Sequence, residues 1–465
     1  MHAEHAPYIA PGIPILGALL RFHRDPLATV MQLSRAHAGL VQLKRRWYFV
    51  SSPGDVQRVL AGPVRYTKGA FSNSVSRTMV DPMRDVLGEG LLTSEGELWK
   101  RQRRLAQPAF HKQRVRDLMP AMVGASQQLV DRWAGLMQRG EPVDAVEEMR
   151  RVALDTMGRT VFSLPLERAG SELSAALIES VVVTHDQFWS LIPNPAWLPT
   201  ARNRRWKQLL TKITAGVHEI IAQRRREPTD RGDVLSAYMS ACNEQTGETM
   251  TDQQLRDEVM TLLIAGHDST AQALCWALYL LAQHDDAQAR LRAELDEVLG
   301  NRTPTADDLP RLAYTTRVLH EAMRLYPPAW LLVRSPTEDD VIAGCVVPAR
   351  SVVMASPYAS HRRPEIWADP ERFDPDRFTA ERSAGRPKYA YFPFGGGGRQ
   401  CIGNMFGMQE MQIVLAMVLQ RFRLALMAKP HVELHAALTL RPKHGIRITL
   451  APIASHEHRN SSRCT

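Results

Sequence analysis

Cysteine is scarce in this 465-residue chain: Cys242, Cys275, Cys345, Cys401 and Cys464 are odd in number and widely scattered. No Cys-x-x-Cys pair occurs, which argues against structural zinc and thioredoxin-like chemistry and fits a reducing compartment. Long apolar runs are missing as well. No uncharged stretch reaches the roughly 18 residues that span a bilayer, and the nearest, Ser269 to His284, carries Gln272 and Gln283. The amino terminus lacks a basic region, and Pro7, Pro11 and Pro14 interrupt its apolar part, so neither signal peptide nor membrane anchor is expected. Gly 28 and Pro 30 are too few for collagen-like or low-complexity sequence. GxGxxG, a GK[ST] ending and HExxH are absent, which removes dinucleotide folds, phosphate loops and zincins. These absences point to a soluble, cytoplasmic protein.

What is present is a globular composition, 44% apolar and 23% charged, able to bury a large core. Lys+Arg 58 against Asp+Glu 49 leaves a formal charge of +9, spread along the chain. Local clusters stand at Lys100-Arg101-Arg103-Arg104 and at Arg224 to Arg226, each of which, taken alone, reads as a solvated face. No nucleic-acid-reading module accompanies this charge, so a nucleic-acid partner is not expected.

Helical periodicity dominates from about Gly96 to Arg226, broken near Ile192 to Pro195 and at Pro199. Thr251 to His284 reads as one helix with a Thr251-x-x-Gln254 capping box, about 50 Å long at 1.5 Å per residue. It is apolar nearly all round from Val259 to Leu281, which predicts burial on every side. Another helix covers Leu312 to Leu325 and stops at Pro327-Pro328, and a last one runs from about Gly403 to Arg421. Short β-prone runs occur at Leu40 to Leu43, Trp47 to Val50, Trp330 to Arg334, Val341-Ile342, Val346-Val347 and Ser351 to Ala355. Leu438 to Leu450 reads as a hairpin around Arg441 to Gly445. No repeat or linker divides the chain, so residues 1–454 are expected to form one mainly α domain with a small β portion. Residues 455–465 read as a polar, disordered tail.

The most informative segment is Phe394-Gly395-Gly396-Gly397-Gly398-Arg399-Gln400-Cys401-Ile402-Gly403. Its four glycines allow close backbone approach to a ligand, and Arg399 supplies positive charge. Cys401 lies just before a helix N-terminus, where a thiolate is favoured. The segment resembles the F-x-x-G-x-R-x-C-x-G haem-thiolate loop of the cytochromes P-450 at every fixed position. The resemblance makes Cys401 the proximal iron ligand and turns Arg399 toward a haem propionate, with Phe394, Gly395 and Gly403 forming the loop around the cofactor.

Further segments resemble the same family. Glu321 and Arg324 sit one turn apart on a helix face, upstream of Pro370-Glu371-Arg372-Phe373. The resemblance implies a structural Glu-Arg-Arg network of Glu321, Arg324 and Arg372. Trp99 and Arg103 are similar to the W-x-x-x-R of the helix that covers the haem, and Arg334 matches another propionate-binding arginine. Ala265-Gly266-His267-Asp268-Ser269-Thr270 resembles [AG]-G-x-[DE]-T-[TS], in which the helix opens beside the haem. Ser269 replaces the usual threonine, keeping the hydroxyl and losing the methyl. Gly407 stands where a small alanine is common.

The resemblance implies a triangular, mainly α fold with haem b between the long helix and the Cys401 loop. The implied activity is monooxygenation of a lipophilic molecule, with Asp268, Ser269 and Thr270 in the catalytic role of delivering protons and Ala265 lining the cofactor. No flavin domain is expected in this length, so electrons would come from a separate ferredoxin or flavodoxin with its NAD(P)H reductase, docking on Lys100 to Arg104. A monomer is expected. By resemblance the pocket draws on Val64 to Asp85, Val181 to Ile192, Val259 to Ser269, Ala329 to Val333 and Ala437 to Leu440. Its Phe188, Trp189, Trp330, Leu331 and Leu332 suit a terpenoid, fatty acid or polyketide. A peroxide-driven peroxygenase or decarboxylase and a non-enzymatic haem sensor are the alternatives.

Overall fold

The longest buried helix organises the molecule. In the computed structural model, which describes residues 6–12, 18–37, 39–62, 66–68, 84, 86–164, 176, 179, 198–242, 247–427 and 432–453, this central helix spans Asp252–Gln283. Its start follows the expected capping box: Gln254 N donates to Thr251 Oγ1 at 3.2 Å, and Thr251 N donates to Gln254 Oε1 at 3.0 Å. Burial runs almost without a break from Leu255 to Leu281, as an all-round apolar helix requires.

The helix Ala145–Phe162 packs along the central helix and is capped by Asp144, whose carboxylate accepts from Val146 N and Glu147 N. The two helices meet at Gly266, where an added Cβ would come within 2.8 Å of Met157 Sδ. The helices Met119–Gln138 and Asn404–Leu419 complete the core, the latter buried nearly all round.

Among the described residues, the β portion centres on a six-stranded sheet in the order Tyr8–Ile9, Val41–Lys44, Trp47–Val50, Val352–Ala355, Leu332–Pro336 and Tyr66–Thr67. Val41–Lys44 and Trp47–Val50 pair antiparallel around Arg46, which takes a left-handed φ of 64° in the turn. The hairpin expected over Leu438 to Leu450 does not form. Leu440–Pro442 pairs backward with Leu434–Ala436, whereas Arg447–Pro452 joins Phe422–Leu426 in another sheet. The Arg441 to Gly445 segment therefore connects two sheets, because Leu440–Pro442 closes a tight hairpin on the strand just before it while Arg447–Pro452 pairs with the more distant Phe422–Leu426.

Arg224 departs from the solvated reading of its cluster: it is buried and ion-paired with Asp233, and also donates to Ser236 Oγ at 3.0 Å. The expected breaks at Ile192 to Pro195 and the polar tail lie outside the described residues, as do Phe188 and Trp189. No described helix is long and apolar enough to cross a membrane.

Candidate functional site

Cys401 lies between a turn at Gly397–Arg399 and the helix Asn404–Leu419. Its N–H donates to the Phe394 carbonyl at 3.0 Å, which folds the loop back on itself, and Gly395 N donates to Phe392 O at 2.9 Å. Cys401 is exposed by area, yet surrounding protein desolvates its thiol and raises it. The Gly403 N–H and the Arg103 charge act in the opposite direction, favouring a thiolate.

The glycines are placed by packing more than by ligand approach. At Gly396 a Cβ would meet the Tyr389 ring at 2.3 Å. At Gly397, with φ +66°, it would meet the Leu60 carbonyl at 2.0 Å. Both residues let the loop lie against the helix Pro53–Ala61 and Tyr389.

Beside the loop four cations converge. Arg399 donates to Ser94 O at 2.9 Å, pairs with Glu95, and stacks its guanidinium 3.8 Å from the Trp99 ring centre. Arg103, one turn beyond Trp99 on the helix Gly96–Ala106, donates to the Gln400 carbonyl at 3.0 Å. Arg334 is buried on the strand Leu332–Pro336 and donates to Val333 O at 2.9 Å. Lys68 donates its Nζ to Leu92 O at 2.7 Å. Desolvation, with the Arg334, Arg399 and Arg103 charges, pushes the Lys68 ammonium down to about 7, and Glu95 offsets this in part. Arg334 is pushed down to about 10, first by desolvation and then by Arg399. One carboxylate among these cations leaves a positive excess that a dianionic group would relieve.

The ion-pair network differs from its expected membership. Arg324 grips Glu321 in a bidentate pair at 2.7 and 2.8 Å, both side chains fully buried. The third member is Arg377, whose Nε donates to Glu321 Oε1 at 3.2 Å. Arg372 is exposed and contributes its carbonyl, which accepts from Arg324 Nη2 at 3.2 Å. Two Pro-acid-Arg-Phe runs follow each other here, Pro370 to Phe373 and Pro375 to Phe378, and the second carries the buried arginine. Asp374 N, between them, also donates to Glu321 Oε1 at 2.9 Å. Anchored at both ends, this segment can turn only one arginine inward, and Arg377 fills that place.

On the central helix, Ala265 is exposed while Leu263, Ile264 and His267 around it are buried. Ser269 is half-buried, so the stripe of Ala265 and Ser269 is a part of the helix's middle that the rest of the fold leaves uncovered. Ser269 Oγ donates to Ala265 O at 2.7 Å. Asp268 is buried and accepts from Thr439 Oγ1 at 2.6 Å. Thr270 is buried and turns toward the helix after Cys401: a Cβ on Gly407 would lie 3.8 Å from its hydroxyl, an ordinary contact, so alanine would fit there.

The sequence profile of the family described as Cytochrome P450 matches residues 7–449. The chain belongs to the cytochrome P450 family. It is 39% identical over 429 residues to a cyclooctatin synthase of Streptomyces melanosporofaciens, covering 91% of this chain and 90% of that protein. It is 33% identical over 423 residues to cyclooctat-9-en-7-ol 5-monooxygenase of the same organism, covering 89% of each. It is 32% identical over 445 residues to pentalenene oxygenase of Streptomyces avermitilis, covering 95% of this chain and 96% of that protein. The crystal structure of the cytochrome P450DA heme domain superposes with a TM-score of 0.86 at 27% identity, over 97% of this chain and 98% of that one.

A P450 binds haem through a cysteine ligand, and the residues present fit that group. Cys401 carries a backbone donor and a guanidinium on the side of its sulfur. Lys68, Arg103, Arg334 and Arg399 would supply the charge for two propionates. Cys401, in the glycine-rich loop, is the cysteine whose surroundings fit that ligand. Sequence reasoning missed Lys68, Glu95, Arg377 and Thr439. Only Arg377 left a signal, the second Pro-acid-Arg-Phe run.

Proposed function

We propose that this P450 is a monooxygenase acting on a polycyclic terpene hydrocarbon or terpene alcohol, with electrons from a separate ferredoxin or flavodoxin and its NAD(P)H reductase. In the overall reaction dioxygen, two electrons and two protons yield one oxygen atom inserted into a carbon–hydrogen bond, or added across a double bond, and one water. Bound haem supplies the activation of dioxygen. Cys401 would hold it through its thiolate, and Lys68, Arg103, Arg334 and Arg399 with Trp99 would hold its propionates. Asp268, Ser269 and Thr270 deliver the protons, Asp268 as the ionisable group and the hydroxyls as carriers.

The observation that carries this reading is the pairing of a desolvated, donor-flanked Cys401 with a buried acid and a hydroxyl on the facing helix. Two of the relatives are a cyclooctat-9-en-7-ol 5-monooxygenase and a pentalenene oxygenase, which supports the substrate class. Leu331 and Leu332, both half-buried, offer apolar surface suited to it, whereas Trp330 is buried against the hairpin tip. Lys100 and Arg104 are exposed and offer a dock for an acidic partner, although Lys100 also pairs with Glu97 at 2.7 Å. The protein acts as a soluble cytoplasmic monomer in this reading, formed by one domain over residues 1–454.

The test is titration of the haem-loaded protein with cyclooctat-9-en-7-ol and pentalenene, followed by product analysis with ferredoxin, reductase and NADPH. A shift of the haem band and an oxygenated product support the reading. Shifts by fatty acids alone would replace the substrate class. Unchanged reduction kinetics at low salt after neutralising Lys100 and Arg104 would move the dock elsewhere.

A further inference from the structure

Asp268 is held from outside its own helix. Thr439 Oγ1 donates to Asp268 Oδ2 at 2.6 Å across a sequence separation of 171 residues, while Gln272 Nε2 stands at a loose 3.4 Å from Oδ1. Thr439 sits in the short tip joining the strands Leu434–Ala436 and Leu440–Pro442. That tip is fixed by three hydrogen bonds. Trp276 Nε1 donates to Leu440 O at 2.9 Å, Trp330 Nε1 to Ala437 O at 2.8 Å, and Leu440 N to Pro328 O at 3.0 Å. Both indoles are buried, and Trp276 stacks on Tyr326 with ring centres 4.2 Å apart.

Asp268, Gln272 and Trp276 are spaced i, i+4, i+8 and share one face of the central helix. Trp276 thus anchors the tip two turns from the acid, and Thr439 returns a hydroxyl to that acid. Ala265 and Ser269 share a neighbouring stripe. A buried carboxylate is costly without donors, and a hydroxyl donating to an ionised carboxylate is among the stronger hydrogen bonds.

We propose that Thr439 is a positioning residue for proton delivery. Its hydroxyl holds the Asp268 carboxylate in one rotamer, so the hairpin tip sets how readily Asp268 passes protons to the stripe of Ala265 and Ser269. The proton that Asp268 takes from the solvent side is the one it releases, and the carboxylate and the Thr439 hydroxyl return unchanged. The inference rests on the reading of Asp268 as the proton-delivering acid.

The experiment uses the haem-loaded full chain with ferredoxin, reductase and NADPH, and cyclooctat-9-en-7-ol as the probe. NADPH consumption and hydrogen peroxide released per NADPH are measured for Thr439→Val, Thr439→Ser, Asp268→Asn and the double variant Asp268→Asn/Thr439→Val. Thr439→Val is expected to slow NADPH consumption about tenfold, the scale of a lost hydrogen bond to a charged group, and to raise the peroxide fraction. Thr439→Ser, which keeps the hydroxyl, is expected to match the wild type. The double variant is expected to be no slower than Asp268→Asn, because Thr439 acts through Asp268. A slow Asp268→Asn beside a wild-type Thr439→Val overturns the positioning role alone. So does a Thr439→Ser as slow as Thr439→Val, or a double variant in which the two losses multiply. Asp268→Asn at the wild-type rate overturns the reading of Asp268, and the proposal with it.

Discussion

The Ser269 hydroxyl is turned back onto its own helix, donating to the Ala265 carbonyl at 2.7 Å. A serine at this position can rotate among three staggered wells, and the back-bonded one occupies its only proton with a helix carbonyl. A threonine has fewer open wells, because its methyl must also be accommodated. Ser269→Thr is therefore expected to raise product formed per NADPH by about twofold, in line with the reduced choice of rotamers. Ser269→Ala is expected to lower it or leave it unchanged. Equal coupling in all three proteins would show that position 269 only packs the helix.

Cys401→Ala is expected to abolish the thiolate-type absorption of the reduced, carbon-monoxide-treated protein. Cys275 and Cys345 are poor substitutes, since burial raises both thiols and no guanidinium opposes it. Retention of that absorption would assign the ligand to another cysteine.

The corrected ion-pair network separates two neighbouring arginines. Arg377→Met leaves Glu321 without one of its two buried cations, and removing one partner of a buried pair costs about 3 to 5 kcal/mol. Arg372→Met keeps the carbonyl that both arginines use and should change thermal stability little. Denaturant unfolding followed by circular dichroism decides between them, and equal losses would contradict the geometry.

Burial raises the Glu410 carboxyl from its usual 4.5 to about 8, with Thr156 pulling weakly the other way. The folded protein thus keeps a proton that the unfolded chain has released. The stabilisation is fully present below about 4.5 and is lost as the pH rises toward about 8. For one proton the slope is at most about 1.4 kcal/mol per pH unit. Glu410→Gln, which keeps the shape and cannot ionise, is expected to flatten this slope and to gain on the wild type at the alkaline end. Parallel stability curves for the two proteins between those limits would refute the assignment.

Much of this molecule was legible because its signals are local. The central helix announces itself by its capping box and all-round apolarity, and Cys401 by the residues touching it in sequence. What could not be read is long-range. Lys68 joins the cations at Arg334 and Arg399 only through tertiary packing, and nothing in its own neighbourhood distinguishes it from a surface lysine. Thr439 meets Asp268 because two indoles fix a hairpin tip, a relation with no sequence spacing. Arg372 and Arg377 stand in two similar runs five residues apart, and only the path of the chain decides which one faces Glu321. The strand Arg447–Pro452 went to a different sheet for the same reason: turn residues mark a change of direction, not the partner.

The indole clamps on the hairpin tip both end on backbone carbonyls, those of Ala437 and Leu440. A carbonyl is common to every residue type, so these clamps are indifferent to the side chains carried at 437 and 440. Ala437 and Leu440 are themselves buried, so it is at the half-buried position 438 that the tip can accept new residues while staying where it is. That makes it a place where related enzymes could diverge in the molecules they accept without rebuilding the scaffold. It is also a natural target for libraries in which position 438 is varied while Ala437, Leu440 and Thr439 are left alone.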